Sequence, residues 1–334
     1  MKVLVIGGTQ FLGRHFVEKL VSLNCDISIF HRGMNGNDLF PDVFSFLGDR
    51  DNNRDILKIS EISWDLVIDT CGFFPDQISL LGNALRKSDC FYIYISSVNR
   101  YPDLSSPWKD ESSLDVHFKF NYPRELTPVN YGFWKSRCEE EVIKIFDKRA
   151  LIIRSGCLVG PYDKAERFGY WVLRISAGGR VLMPGSPQIV WQIIDARDLV
   201  DWALSMFERR LSGIFNVVGP EHPIAAGDLF GTIARVLDVD AEPVWIVSDF
   251  LKKQEGHEKW LDLAEWVCLP PNLANLYRIS NQKAKDAGLK FRSLDLTVHD
   301  TLHVMKETGD PAKQLFAIGL EDSIIDSWDS KQAF

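Results

Sequence analysis

The sequence predicts an α/β protein with a doubly wound parallel sheet and a smaller C-terminal α+β lobe that binds substrate. Three observations support this prediction. A buried strand opens the chain at residues 3–6, a glycine-rich turn follows it, and short β-branched runs alternate with helix-period segments through the first half. We expect the first domain to span residues 1–165 and the second 166–334, with the second interleaved with the sheet.

The elements follow one another in a regular order. Strands are expected at 3–6, 26–30, 43–47, 66–69, 91–96 and 150–154, and helices at 11–22 and 131–146. Strands that alternate with helices pair in parallel through right-handed crossovers, which place helices on both faces of the sheet. After residue 156, helices at 168–176, 197–208 and 226–237 are separated by strands at 192–194, 213–218 and 244–247. One or two of these strands could extend the main sheet.

Composition and charge limit the classes of partner that we expect the protein to bind. A net charge of −8 over 334 residues argues against a nucleic-acid partner, since tracking a phosphate backbone needs a concentrated positive surface. The six cysteines form no C-x-x-C motif or Cys/His cluster, so we expect neither a metal site nor a disulfide framework. No apolar stretch approaches the roughly 18 residues of a spanning helix. We therefore expect a cytoplasmic protein with no membrane partner.

A glycine-rich turn joins the first strand to the first helix. Its first glycine permits a tight turn, and its last lets the helix pack closely on the strand. The helix N-terminus offers unpaired N–H groups and a positive dipole end to a pyrophosphate. The residues expected to hold a dinucleotide here are Gly7, Thr9, Gln10, Phe11, Leu12 and Gly13.

The run V-I-G-G-T-Q-F-L-G resembles the T-G-G-x-G-F-I-G fingerprint of the NAD-dependent epimerase/dehydratase family, within the extended short-chain dehydrogenases/reductases. It is similar to a bacterial branch labelled epimerase or isoflavone-reductase-like. The resemblance implies a Rossmann sheet, a nicotinamide cofactor and, by analogy, a homodimer. Gln10 departs from the fingerprint, because a glycine normally lets the backbone approach the diphosphate there. Its side chain must turn aside or over the phosphates.

The end of the second strand favours NADP as the cofactor. NAD-preferring relatives carry an acidic residue there for the ribose hydroxyls, whereas this strand ends in His31 and Arg32. An arginine can pair with the 2′-phosphate of NADP through its planar fork. A solvated loop arginine is the alternative, and NAD remains open. Asp49 and Arg50 resemble the family's adenine-contacting G-D-x, although Asp49 could simply form a turn.

Tyr131 and Lys135 form a Y-x-x-x-K pair at the start of a helix, and the i, i+4 spacing puts both on one face. The lysine ammonium would favour the ionised phenol, so that the tyrosine can act as acid and base. The run S-S-V-N-R-Y matches the family's S-S-x-x-x-Y and assigns Ser97 as the catalytic hydroxyl, with Ser96 as the alternative. A lone Y-x-x-x-K also arises by chance.

The resemblance implies further cofactor contacts at the ends of other strands. Cys71 and Gly72, after the fourth strand, would lie against the ribose and diphosphate. Ser155 and Cys157, after the sixth, stand where relatives read R-P-G and would meet the carboxamide end of the nicotinamide. The lysine of the Y-x-x-x-K pair would also bond to the nicotinamide ribose. We do not expect Cys71 to be a catalytic thiol, since no cation flanks it in sequence.

Two departures from the family's sequence pattern limit the classes of substrate and reaction that we expect. Dehydratases carry a carboxylate pair after the catalytic hydroxyl, whereas Val98 and Asn99 stand here. Nucleotide-sugar enzymes place a diphosphate-binding arginine seven residues before an aspartate, and aligning Asp198 puts Trp191 at that place. Three nearby arginines could substitute for it: Arg167, Arg174 and Arg180.

Many aromatic residues fall in segments that face the pocket in relatives, and we expect about half of them to be core. They are Phe73, Phe74, Tyr101, Trp108, Phe133, Trp134, Phe168, Tyr170 and Trp171. The remainder would suit an aromatic or alicyclic substrate. The sequence thus predicts an NAD(P)-dependent oxidoreductase that moves hydride to or from a small carbonyl or alcohol. The alternatives are a nucleotide-sugar epimerase and a non-catalytic Rossmann protein that binds RNA or senses the cofactor.

Overall fold

The computed structural model describes residues 1–36, 38–113, 122–164, 167–254, 269–309 and 318–332; Cys268 lies outside them. The chain forms two compact units. The first comprises Met1–Cys157, Ala196–Val218 and Arg278–Lys290, and the second comprises Leu158–Asp195, Gly219–Tyr277 and Phe291–Phe334. This division differs from the expected boundary after residue 165, because the chain returns twice to the first unit.

Through the sixth strand, strands and helices alternate as expected except between the second and the third strand, whereas several later strands follow one another directly. The strands are β1 (Lys2–Ile6), β2 (Asp26–His31), β3 (Phe44–Leu47), β4 (Leu66–Asp69), β5 (Phe91–Ser97), β6 (Ala150–Ser155), β7 (Cys157–Val159), β8 (Gly179–Pro184), β9 (Val190–Trp191), β10 (Ile193–Asp195), β11 (Gly213–Val217), β12 (Ile224–Ala225) and β13 (Ala241–Ile246). The α-helices are α1 (Phe11–Ser22), α2 (Asn53–Ile56), α3 (Pro75–Ala84), α4 (Tyr131–Phe146), α5 (Arg167–Ser176), α6 (Ala196–Glu208), α7 (Ala226–Leu237), α8 (Ser248–Leu251), α9 (Gln282–Asp286), α10 (Leu294–Thr308) and α11 (Ile318–Gln332).

Seven parallel strands make the sheet of the first unit, in the order β11-β6-β5-β4-β1-β2-β3. This is the doubly wound Rossmann arrangement, so the predicted fold class is confirmed. The strand at Gly213–Val217 extends the main sheet beside β6. Its addition explains why the chain returns to the first unit after residue 195.

The central strands are buried along their whole length, because helices cover both faces of the sheet. Every residue of β4 and β5 is buried. On α1 the apolar stripe of Leu12, Phe16, Val17 and Leu20 is at most 7% exposed. The helix-period pattern predicts these four residues and Phe11 as the packing face of α1; Phe11, at the start of the helix, is only half-buried and lines the cleft described below.

The second unit combines short sheets with helices. Strand β8 pairs in parallel with β13, and β9 pairs antiparallel with β12. Helix α5 packs against α7 and α10. No helix in the described ranges is long and apolar enough to cross a membrane.

Candidate functional site

A cleft opens in the first unit where β1, β2, β3 and β4 end. Carboxyl ends of parallel strands meet at one edge of a sheet, so the loops that follow them share this space. The cavity measures about 490 Å³, within the range of small-molecule sites. The expected cofactor residues that line it are Gly7, Thr9, Gln10, Phe11, Leu12, Gly13, His31, Arg32, Asp49, Arg50 and Cys71.

The glycine-rich turn has the backbone geometry that a pyrophosphate site requires. Gly7 has a φ of +91°, which favours glycine. A Cβ on Gly13 would lie 2.1 Å from the Gly7 carbonyl oxygen, so only glycine permits this approach of helix to turn. Gln10 is the exposed N-cap of α1; its side chain caps no N–H group, and no acidic residue occupies the first turn. The backbone N–H groups in the first turn of α1 therefore fit a pyrophosphate.

The end of β2 presents one exposed cation to the cleft. Arg32 is exposed and pairs with no carboxylate in the described part of the chain. His31 is 8% exposed, and its Nδ1 accepts a hydrogen bond from the Gly33 N–H at 3.3 Å. Burial lowers the pKa of His31, so the imidazole is neutral near pH 7. Arg32 therefore provides the positive charge at this end.

Arg50 lies in the floor of the cleft as half of a buried ion pair. Its Nη1 and Nη2 donate to the two carboxylate oxygens of Asp69, each at 2.8 Å. Burial alone would raise the pKa of Asp69, but the charge and hydrogen bonds of Arg50 hold it below its usual range. The charge of Arg50 is thus neutralised within the protein, which the G-D-x resemblance did not foresee. Asp49 forms the turn, accepting from the Asp51 N–H at 2.9 Å, and also lines the cleft.

The Cys71 thiol lies beside this ion pair. Arg50 Nη1 donates to Cys71 Sγ at 3.4 Å. Burial raises the pKa of Cys71, despite the opposing charge of Arg50. The thiol is therefore protonated near pH 7 and is a poor nucleophile.

Helix α4 brings Tyr131 and Lys135 to the end of β5, where Ser97 lies. A Cβ on Gly132 would lie 1.9 Å from the Asn99 carbonyl oxygen, so the helix packs directly on the turn that follows Ser97. The Ser97 hydroxyl oxygen accepts from the Asn99 N–H at 3.2 Å. The Tyr131 hydroxyl makes no hydrogen bond to another described residue.

Lys135 is 2% exposed, and its ammonium joins the ends of two strands. Its Nζ donates to the Gly72 carbonyl at 3.0 Å and to the Ile95 carbonyl at 2.7 Å. The Phe73 ring centroid lies 4.9 Å from this Nζ and 6.5 Å from the Tyr131 ring centroid. Phe73 also lines the cleft, so this one side chain borders both the cavity and the ammonium of Lys135.

The remaining expected cofactor residues do not line the cavity. They are Gly72, Tyr131, Lys135, Ser155 and Cys157. The Ser155 hydroxyl donates to the Ser96 carbonyl at 3.0 Å and is buried. Cys157 begins β7 and is half-buried. The open cavity therefore covers the adenine and diphosphate end of the expected site only.

Glu139 was not singled out from the sequence, yet it lies at the centre of a buried polar network. Its carboxylate accepts from Ser96 Oγ at 2.5 Å and from Arg154 Nη2 at 2.8 Å. Ser96 is thereby occupied, which favours Ser97 over Ser96 as the hydroxyl that meets substrate. A signal was available: Glu139 follows Lys135 by four residues, on the same helical face.

In the second unit, Arg174 and Arg180 both pair with carboxylates. Arg174 is buried and bonds to Glu321 at 2.7 Å, and Arg180 pairs with Asp326 and Asp329. Trp191 is 1% exposed, with its ring 6.4 Å from that of Phe168. Of the nine aromatic candidates, the buried ones are Tyr101, Phe133, Phe168, Tyr170 and Trp171. The expectation that about half are core agrees with this.

No protein-family model and no curated protein matches the sequence. Solved structures do match the fold. A putative epimerase from Burkholderia cenocepacia has a TM-score of 0.71 at 16% identity, covering 92% of this chain and 98% of its own. A UDP-N-acetylglucosamine 4-epimerase from Bacillus cereus has a TM-score of 0.68 at 17% identity, covering 93% and 98%. WbmH from Bordetella bronchiseptica, solved with NAD+, has a TM-score of 0.65 at 14% identity, covering 92% and 99%. The chain thus shares its fold with proteins described as epimerases.

Proposed function

We propose that this protein is an NAD(P)-dependent oxidoreductase of the extended short-chain dehydrogenase/reductase type. It prefers NADP and transfers hydride to or from a small carbonyl or alcohol. One observation carries the proposal: the cleft lined by the glycine-rich turn and the set of Ser97, Tyr131 and Lys135 lie at the same edge of one parallel sheet. The NAD+ bound to WbmH, on a similar fold, supports a nicotinamide cofactor.

The side chains divide the acid–base work between them. NADP, when bound, supplies or accepts the hydride. The Tyr131 phenol gives its proton to the substrate oxygen during reduction and takes one during oxidation. The Ser97 oxygen already accepts from the Asn99 N–H, so its own proton is available to the same substrate oxygen. Two donors then meet the oxygen on which negative charge develops.

Lys135 is suited to hold both Tyr131 and the nicotinamide ribose. An ammonium has three N–H donors, and the Gly72 and Ile95 carbonyls use two of them. The third remains for a ribose hydroxyl. The Lys135 Nζ lies 5.8 Å from the Tyr131 ring centroid, so the ammonium is close to both the tyrosine and the backbone that follows β4.

The cofactor preference is tested by reversing one charge. Arg32→Glu replaces a partner of the 2′-phosphate with a repulsive carboxylate, so NADP(H) should lose its advantage over NAD(H). Arg86→Glu is the matched control, because Arg86 is equally exposed and does not line the cleft. Calorimetry gives both affinities for each protein. Equal affinities in the wild type, or no effect of Arg32→Glu, would remove the NADP preference.

A nucleotide-sugar epimerase is the second candidate function. A Thermotoga maritima UDP-glucose 4-epimerase solved with UDP-glucose supports it, with a TM-score of 0.63 at 17% identity. The engaged side chains of Arg174 and Arg180 argue against it, since both already bond to carboxylates. A charged hydrogen bond contributes roughly 1.5–3 kcal/mol, so loss of a diphosphate partner weakens binding about ten- to hundredfold.

Titration separates the two functions. UDP, UDP-glucose and a panel of aromatic and alicyclic ketones are added to the NADP-loaded protein. We expect ketones to bind and UDP to bind weakly or not at all. Micromolar UDP binding that disappears when Arg167, Arg174 and Arg180 are changed to Ala would establish the epimerase instead.

We further propose that the protein is a homodimer, which analytical ultracentrifugation tests.

A further inference from the structure

Helix α4 carries three polar side chains in register on one face. Tyr131, Lys135 and Glu139 are spaced i, i+4 and i+8. Lys135 and Glu139 are each 2% exposed, so the helix buries one positive and one negative charge one turn apart. Buried charges need partners, because an unpaired one is costly. The partners of Glu139 therefore show which other segments hold α4 in place.

Two side chains donate hydrogen bonds to the Glu139 carboxylate, and a third forms an ion pair with it. Ser96 Oγ donates to Oε1 at 2.5 Å. Arg154 donates from Nε at 3.1 Å to Oε1 and from Nη2 at 2.8 Å to Oε2. Arg100 Nε lies 3.3 Å from Oε2. All of these side chains are buried, so water screens the interactions little.

The positions of these donors give the network its meaning. Ser96 immediately precedes Ser97, and Arg100 follows it by three residues, so the carboxylate holds the chain on both sides of Ser97. Arg100 also donates from Nη2 to Ser136 Oγ at 3.1 Å, one residue beyond Lys135. Arg154 precedes Ser155, whose hydroxyl bonds back to the Ser96 carbonyl.

We propose that Glu139 is a positioning residue that fixes Tyr131 and Lys135 relative to Ser97. This inference rests on the proposed function. The carboxylate ties α4, which carries the tyrosine and lysine, to the end of β5, which carries the serine, and to the end of β6. Without it, the lysine and tyrosine move relative to the serine, although the adenine end of the cleft, which α4 does not line, is unaffected.

The test compares the two halves of the cofactor. Glu139→Gln removes the charge at nearly the same volume. Glu140→Gln is the matched control, because Glu140 lies on the same helix, is exposed and pairs with Arg137 at 2.7 Å. Calorimetry measures the affinity of each protein for NADPH, for 2′,5′-ADP and for reduced nicotinamide mononucleotide. We expect Glu139→Gln to weaken NADPH and the mononucleotide about tenfold, the cost of one charged hydrogen bond, and to leave 2′,5′-ADP unchanged.

The outcomes separate this inference from the proposed function. If the wild type binds neither NADP(H) nor NAD(H), the proposed function fails. If the wild type binds NADPH but Glu139→Gln weakens both halves equally or neither, the positioning role is wrong and Glu139 only stabilises the fold. Should Glu139→Gln not fold, Ser96→Ala removes a single bond to the carboxylate. Ser96→Ala must then show the same selective loss of affinity for the nicotinamide half of the cofactor. Glu139→Asp must keep part of that affinity.

Discussion

Gly132 offers a direct way to displace Tyr131, the proposed acid and base. In Gly132→Ala, the new methyl group would lie 1.9 Å from the Asn99 carbonyl oxygen, whereas real Cβ atoms essentially never approach within 3.0 Å. The start of α4 or the turn after Ser97 must therefore move by about 1.1 Å or more. A shift of about 1 Å at reacting groups can lower the rate about a hundredfold. Overpacking of this kind also destabilises a fold by about 1–3 kcal/mol.

The assay has two parts. Hydride transfer is followed as NADPH absorbance with the ketone that the titration identifies, and thermal unfolding is followed by circular dichroism. We expect kcat to fall about a hundredfold in Gly132→Ala, with a lower Tm. Binding of 2′,5′-ADP should not change, because neither Gly132 nor Asn99 lines the adenine end of the cleft.

Gly231→Ala provides the control, since Gly231 lies within α7 and a Cβ there would meet nothing within 4 Å. This change should be neutral or stabilise by roughly 0.5–1 kcal/mol, as alanine favours helix over glycine. Wild-type kcat and Tm in Gly132→Ala would refute the reasoning. They would mean that the helix and the turn do not touch as described.

Three further outcomes are expected. Tyr131→Phe should abolish turnover in single-turnover assays while calorimetry shows nearly intact NADPH binding; wild-type rates would exclude the phenol from the mechanism. Lys135→Met should lower both the turnover and the NADPH affinity, because the ammonium is proposed to bond to the ribose and to act on the tyrosine. Intact NADPH affinity would contradict the contact with the ribose. Because Arg50 holds the pKa of Asp69 low, this carboxylate stabilises the fold above the unfolded value of about 3.9, and the contribution is lost as the pH falls through the lower folded value. The Tm difference between wild type and Asp69→Asn should therefore narrow below about pH 4; a constant difference from pH 7 to pH 3 would argue against the charged pair.

Features that depend on neighbouring residues were predictable from the sequence. The spacing of Gly7 and Gly13 around a strand and a helix specifies a turn whose backbone geometry the structure reproduces. Helix α4 was predicted over Tyr131–Phe146, with the bounds that the structure shows. Local periodicity suffices in these cases, because the apolar face and the turn residues are close in sequence.

Features that depend on distant pairing were not predictable. The Arg50–Asp69 pair joins residues 19 apart, and the Ser96–Glu139 bond joins residues 43 apart. Each residue by itself reads as an ordinary polar residue, and only the sheet order brings the partners together. The position of Phe73 also depends on distant pairing, since it was expected among the pocket aromatics but not beside the ammonium of Lys135.

The exposed position of Arg32 has a consequence for protein engineering. Its side chain is exposed and bonds to no other described residue, so replacing it breaks no ion pair within the described part of the chain. Surface changes of this kind usually alter stability by no more than about 0.5 kcal/mol. Libraries that vary position 32 can therefore test the proposed cofactor preference without a compensating stabiliser. Glu139 and Arg154, buried behind the serine, offer no such latitude.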